Sequence, residues 1–240
     1  MRKALIVLAL FFVFLAAGKN SLAQEVIIAY TGDTHAALYP CACPIEKDGG
    51  VARRAHLLKQ LRRKYPNLLL LDSGNFFGAG LLDQNTQGTS LDMQRTLVNL
   101  RAIEAMQYDA LNLGEDEFNF GEGFLEEQLD NFKIEAISSN VKSGKFPPFI
   151  IKDVSGIRFC IIGLADKRAK AKLKDLSFVD PKEALKQVIP ILKEKGADII
   201  VLLSNLSDEE NVGLVNAVGG IDIVVGRHEK SRKTSPTGEK

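Results

Sequence analysis

The sequence predicts an α/β fold with mixed strand directions, on three observations. Short runs rich in Val, Ile and Leu alternate with amphipathic stretches along most of the chain, the pattern of helices packed on largely parallel strands. Two runs, Phe149 to Val154 and Ile157 to Leu164, are separated only by Ser155 and Gly156, and so short a turn joins antiparallel strands. Nearly every apolar run ends in a small polar cluster, as strands do when their carboxyl ends open on one crevice.

Taken in order, Val26 to Thr31 reads as the first strand. Val51 to Lys64 reads as a helix with Ala55, Leu58 and Leu61 on one face. Leu68 to Leu71 is unbroken in its hydrophobicity and reads as a strand buried on both faces. Thr89 to Met106 is expected to be helical, Ala110 to Leu113 a strand, Gly123 to Asn131 a short helix and Ile134 to Ser138 a strand. After the hairpin come a helix from Pro181 to Lys195, in which Pro190 predicts a kink or break, a strand from Ile199 to Leu203, a helix from Asp208 to Val218 and a last strand from Ile221 to Val225.

Lys and Arg total 31 against 30 for Asp and Glu, so no net field draws nucleic acid or an anionic membrane to the chain. Arg2 and Lys3 precede an apolar run from Ala4 to Gly18, and the small pair Ser21 and Ala23 follows at signal-peptidase spacing. This predicts a signal peptide over 1–23, cleaved near Ala23, and export to the periplasm or beyond with no stable membrane span. The run is shorter than the roughly 20 residues a bilayer requires. The domain is expected over 24–230 and a polar tail over 231–240. Three cysteines cannot close a disulfide framework, and Cys160, inside an apolar run, reads as a small buried hydrophobe.

The polar clusters are Gly32-Asp33-Thr34-His35, Asp72-Ser73-Gly74-Asn75, Gly114-Glu115-Asp116-Glu117, Ser139-Asn140, Ser204-Asn205 and Gly226-Arg227-His228. Any one of them suits an ordinary turn. Together they gather carboxylates and imidazoles, which hard or borderline divalent metals need, whereas no dinucleotide, P-loop or serine-elbow motif occurs. His56 lies inside a helix among Ala55, Leu57 and Leu58 and reads as a helix-surface or core-rim residue.

The order GDTH, GGVARRA, DSGN, GEDEFN, SSN, LSN and GRHEK resembles the motif series of the calcineurin-like metallophosphoesterases in their 5′-nucleotidase branch. The resemblance spans about residues 26 to 230 and implies a layered α/β/β/α fold with mixed sheets, lacking the last strands of the family domain. It implies Asp33, His35 and His228 as metal ligands, with Asn75 where the bridging carboxylate belongs, Glu115 at the Asn ligand position and Asn205 at a His ligand position. Asp116 stands at the catalytic His position, Asn119 at that of its Asp partner and Lys230 at that of the last ligand. Glu117 and Glu115 beside Asp116 would favour its protonated form and hence a role as general acid.

The resemblance implies a cofactor of one or two divalent ions (Mn, Zn, Mg or Ca), but Arg227 and Lys230 form an alternative anion-binding pair able to replace metal as the counter-charge. Two functions therefore stay open: a weak metal-dependent phosphoric monoester hydrolase acting on a small phosphorylated molecule, or a degenerate homologue that binds an anionic ligand. In the second case the partner could also be a protein, completing the sheet. Cys41 and Cys43, in the loop after His35, are open to a lid, a redox pair, soft metal ligation or a link to a partner, and a Pro-Cys-x-Cys of this kind resembles an exported subgroup of the family.

Overall fold

The computed structural model describes residues 25–40, 49–83 and 85–227. The first half builds a parallel sheet, in order β1 (Ile27–Thr31), β2 (Leu68–Asp72), β3 (Ala110–Asn112) and β4 (Ala136–Ile137). Its connections carry α1 (Val51–Lys64), α2 (Thr89–Met106) and α3 (Glu122–Asn131). A two-stranded antiparallel pair, β5 (Val141–Lys142) with β8 (Ser177–Phe178), stands apart. The second half builds a mixed sheet from β6 (Phe149–Val154), β7 (Ile157–Leu164), β9 (Ile199–Ser204) and β10 (Ile223–Val225), joined through α4 (Pro181–Glu194) and α5 (Asp208–Val218).

The β6/β7 hairpin is antiparallel as its turn predicts. Ser155 and Gly156 both take positive φ (54° and 76°), which matches the turn to the twist of the strands.

Side-chain alternation sorts the strands into four layers. Leu69 and Leu71 of β2 meet Phe159, Ile161, Val201 and Leu203 of the second sheet, while Leu70 faces the opposite way onto Leu58, Leu100 and Ile103 of the helices. Likewise Cys160, Ile162 and Leu164 of β7 pack on Leu185, Val188 and Leu192 of α4. The result is helices, sheet, sheet, helices, the α/β/β/α order expected. Cys160 is buried and unpaired.

Pro190 does not end α4, which continues to Glu194 and so departs from the expected break. It lies on the exposed face, so the Lys186 carbonyl that loses its partner is left to water while Ala184, Leu185, Val188, Ile189 and Leu192 hold the helix to the sheet. The short β5 and β8 went unread because two residues carry no periodicity. His56 is exposed on α1 and contacts Gln60. The signal-peptide run and the polar tail lie outside the described residues.

Asparagine side chains tie the two sheets together at their carboxyl ends. Asn112 of β3 donates through Nδ2 to Ser73 O (2.9 Å) and Leu164 O (2.8 Å), and Asn140 holds Ala165 through both its amide groups. Gly163 permits this approach: a Cβ there would stand 2.5 Å from Asn112 Oδ1 and 2.7 Å from Ile137 O. Gly163→Ala is expected to lower stability by about 2 kcal/mol or more, the usual cost of overpacking, read as a fall in the urea midpoint.

Candidate functional site

The carboxyl end of β1 runs into Asp33, His35 and Ala36, all with positive φ (49°, 43° and 49°). Left-handed backbone costs a non-glycine residue about 1–2 kcal/mol, so such a run persists only where the surroundings impose it. Here Asp33 N donates to Gly74 O (3.0 Å), His35 N to Asn75 O (2.9 Å) and Ala36 N to Phe76 O (3.2 Å), so the loop continues the β1/β2 ladder. From α2, Arg95 donates to His35 O (2.9 Å) and Ala36 O (3.3 Å) while pairing with Asp92 (2.9 Å) and Asp83.

The loops after β2 and β3 are locked together by Glu117, which is fully buried. Its two oxygens accept from Asn75 N (3.1 Å), Phe76 N (2.7 Å), Phe77 N (3.1 Å) and Gly114 N (2.7 Å). Burial, with Asp116 adjacent, pushes this carboxyl up to about 8 against the pull of those donors. Asp72, also buried, is pushed up to about 6 while it accepts from Thr31 Oγ1 and Gly74 N.

These two loops bring the expected site residues together. Asn75 Oδ1 accepts from Glu115 N (3.0 Å) and Asp116 N (3.1 Å), and its Nδ2 donates to Asp33 Oδ1 (2.8 Å). Asn205, from the end of β9, accepts from Glu115 N at 3.2 Å. His35 Nδ1 meets Asp116 Oδ2 at 2.8 Å.

Burial alone would lower the His35 pKa, but the hydrogen bond and charge of Asp116, with Asp33 and Asp83 behind it, outweigh burial and raise it above the ordinary 6.5. A histidine raised on folding contributes stability in full below its unfolded value and loses it as pH climbs through the higher folded value. Asp116→Asn is therefore expected to bring the imidazole titration of His35, followed by NMR, down toward or below 6.5 and to weaken the decline of stability above that pH.

Glu115 and Asp116 have cationic partners that the sequence reading did not name. The 3₁₀ turn Lys167–Lys172, which follows the carboxyl end of β7, presents Arg168 and Lys172 to them. Lys172 Nζ lies 3.2 Å from Glu115 Oε1, 3.3 Å from Glu115 O, 2.5 Å from Asn119 Oδ1 and 3.7 Å from Asp116 Oδ1. Arg168 Nε lies 2.7 Å from Glu115 Oε2 and 3.0 Å from Asp166 Oδ1, the first a pairing of charges without hydrogen-bond alignment. The available signal was positional: β7 is parallel to β9 and β10, so the loop after it opens on the same edge as the other clusters.

Arg227 closes the described chain beside this edge, since the preceding Gly226 carbonyl would stand 3.7 Å from a Cβ on Gly32. His228, Lys230, Cys41 and Cys43 lie outside the described residues.

These donors do not fit a two-metal centre. The position between Asp33 and the 115–116 turn holds an amide whose oxygen is taken by two N–H groups, and no group of three or more His, Cys, Asp or Glu side chains among the described residues is placed to hold an ion. A divalent ion about 4 Å from the Lys172 ammonium would meet a repulsion on the order of 8 kcal/mol at an effective dielectric of about 20. Thr34 Oγ1, Ser73 Oγ and Asn205 Nδ2 are buried with no partner among the described residues.

No family model matches the chain. It is similar to the 5′-nucleotidase of Diplobatis ommata, 28% identical over 225 residues, which cover 86% of this chain and 38% of the relative. The snake venom 5′-nucleotidase of Naja atra is 31% identical over 223 residues, covering 85% and 41%. Among solved structures, a 5′-nucleotidase precursor from Thermus thermophilus superposes with a TM-score of 0.74 at 29% identity, covering 89% of this chain and 45% of that one. The chain thus spans about two fifths of the length of the curated relatives it matches.

Proposed function

Since the chain belongs to the calcineurin-like metallophosphoesterase superfamily, in its 5′-nucleotidase-like branch, we propose that it is an exported member whose crevice binds a small phosphorylated molecule without appreciable metal-dependent hydrolysis. The observation that carries this reading is Asn75. Two-metal water activation needs a carboxylate bridging the ions, and Asn75 instead spends its amide on Asp33 and on the N–H groups of Glu115 and Asp116. Binding of a phosphorylated molecule is supported by the likeness to 5′-nucleotidases. Export rests on the charged, then apolar, then small-residue pattern of the N-terminus. Among the described residues no helix is long and apolar enough to cross a membrane.

The test is a pair of measurements on one preparation of the full chain. Calorimetric titration with a nucleoside monophosphate and with inorganic phosphate is expected to show binding. Phosphate release from p-nitrophenyl phosphate and from the same nucleotide is expected to stay at background with Mn, Zn, Mg or Ca. Turnover that rises with metal and saturates in substrate would sink the reading. One observation favours residual hydrolysis as the second reading: His35 and Asp116 form a hydrogen-bonded acid–base pair on the crevice edge, an arrangement able to pass a proton to a leaving group.

A further inference from the structure

The two cations on the turn after β7 are the feature that neither the motif series nor the proposed binding role explains. Lys172 is not an ordinary surface lysine. Its ammonium sits within 3.7 Å of four oxygens from Glu115, Asp116 and Asn119, and its side chain is 25% exposed, against 77% for Lys167 on the same turn. Carboxylate, backbone carbonyl and side-chain amide oxygens gathered around one positive centre are the donor set of a hard cation. Arg168 completes the neutralisation by facing the other oxygen of Glu115.

The two acids need this. Glu115 and Asp116 are 2% exposed, adjacent in sequence and next to buried Glu117, and carboxylates so placed repel one another unless countered. The backbone places the counter-charge by construction: Asp166 accepts from Arg168 N at 2.8 Å and starts the turn, and buried Ala169 anchors it against the core. Arg168 and Lys172 then reach the same acidic pair.

Resting on the reading that this crevice works without a two-metal centre, we infer that the Lys172 ammonium, backed by Arg168, stands in for a divalent cation: the protein supplies its own counter-ion to Glu115 and Asp116. Binding of Mn²⁺ at these oxygens and residence of Lys172 are then mutually exclusive, and removal of the lysine uncovers a latent metal site.

The test uses the full chain and the metal alone. Mn²⁺ binding is followed by electron paramagnetic resonance and calorimetry in the wild type, in Lys172→Ala and in Lys172→Arg. The wild type and Lys172→Arg are expected to bind little Mn²⁺, while Lys172→Ala gains roughly tenfold or more in affinity and melts higher with Mn²⁺ than with chelator. Equal affinity in wild type and Lys172→Ala overturns the inference, and so does a folded Lys172→Ala that binds no Mn²⁺.

If that variant does not fold, the wild type decides by itself. In reductive methylation mapped by mass spectrometry, Lys172 is expected to react roughly tenfold more slowly than Lys167 and Lys170, with or without Mn²⁺, and equal reactivity overturns the inference. Turnover by the wild type would count against the proposed function, whereas these readouts concern Lys172 alone, so the two failures are separable.

Discussion

Glu117→Ala is expected to remove a large part of the stability of the chain, although residue 117 touches no solvent and was not itself an expected ligand. Its carboxylate receives four backbone N–H groups, from Asn75, Phe76, Phe77 and Gly114, at 2.7 to 3.1 Å. Alanine leaves all four buried and unpartnered. At about 1–3 kcal/mol for each orphaned group, the loss is on the order of 4 kcal/mol or more, a large part of the 5–15 kcal/mol by which domains are stable.

Glu117→Gln is expected to fall between, since the amide keeps one oxygen for two of the donors and turns an N–H group toward the other two. Urea unfolding of the three proteins checks the order. A Glu117→Ala midpoint close to wild type would mean that the loops after β2 and β3 are held by something else.

Glu117 also shows what a sequence conceals. The strands and helices were legible because they are periodic: Ala55, Leu58 and Leu61 do line the buried face of α1, and the Ser155-Gly156 turn does reverse the chain between β6 and β7. The gathering of the polar clusters was legible too, because parallel strands place their carboxyl ends together.

Which member of a cluster does what was not legible. Glu115, Asp116 and Glu117 are consecutive acids, and only the fold turns one into a backbone anchor, one toward the His35 ring and one toward Lys172 and Arg168. Arg95, deep in a helical run, gave no sign that it would cap the carbonyls of a left-handed loop. Arg168 and Lys172 lie in a run of alternating Lys, Arg and Ala that reads as solvated surface. Arg227 and Lys230 were expected as a counter-charge to Asp33, and Lys230 lies outside the described residues; the cations that face Glu115 and Asp116 come from the loop after β7.

Asn75→Asp should separate the structural from the catalytic meaning of the site. In the absence of metal the new carboxylate faces Asp33 Oδ1, where the amide Nδ2 now donates at 2.8 Å, so a hydrogen bond is exchanged for a clash of like charges. One of the two acids must then take up a proton or the loops must separate. The expected loss is about 2–4 kcal/mol, or roughly 5–15 °C in Tm at the usual conversion for a chain of this size.

Added Mn²⁺ changes the sign of that contact, because two carboxylates facing each other are what a cation bridges. Asn75→Asp is therefore expected to regain much of its loss with Mn²⁺ at neutral pH, and to regain more in combination with Lys172→Ala, whereas the wild type should melt at the same temperature with Mn²⁺ or chelator. Rescue of the variant alone would place the loss of a working metal centre at one residue. Equal stabilisation of wild type and variant by Mn²⁺ would instead mean that the ion binds whichever residue stands at 75, and would sink the reading that Asn75 abolished the metal centre.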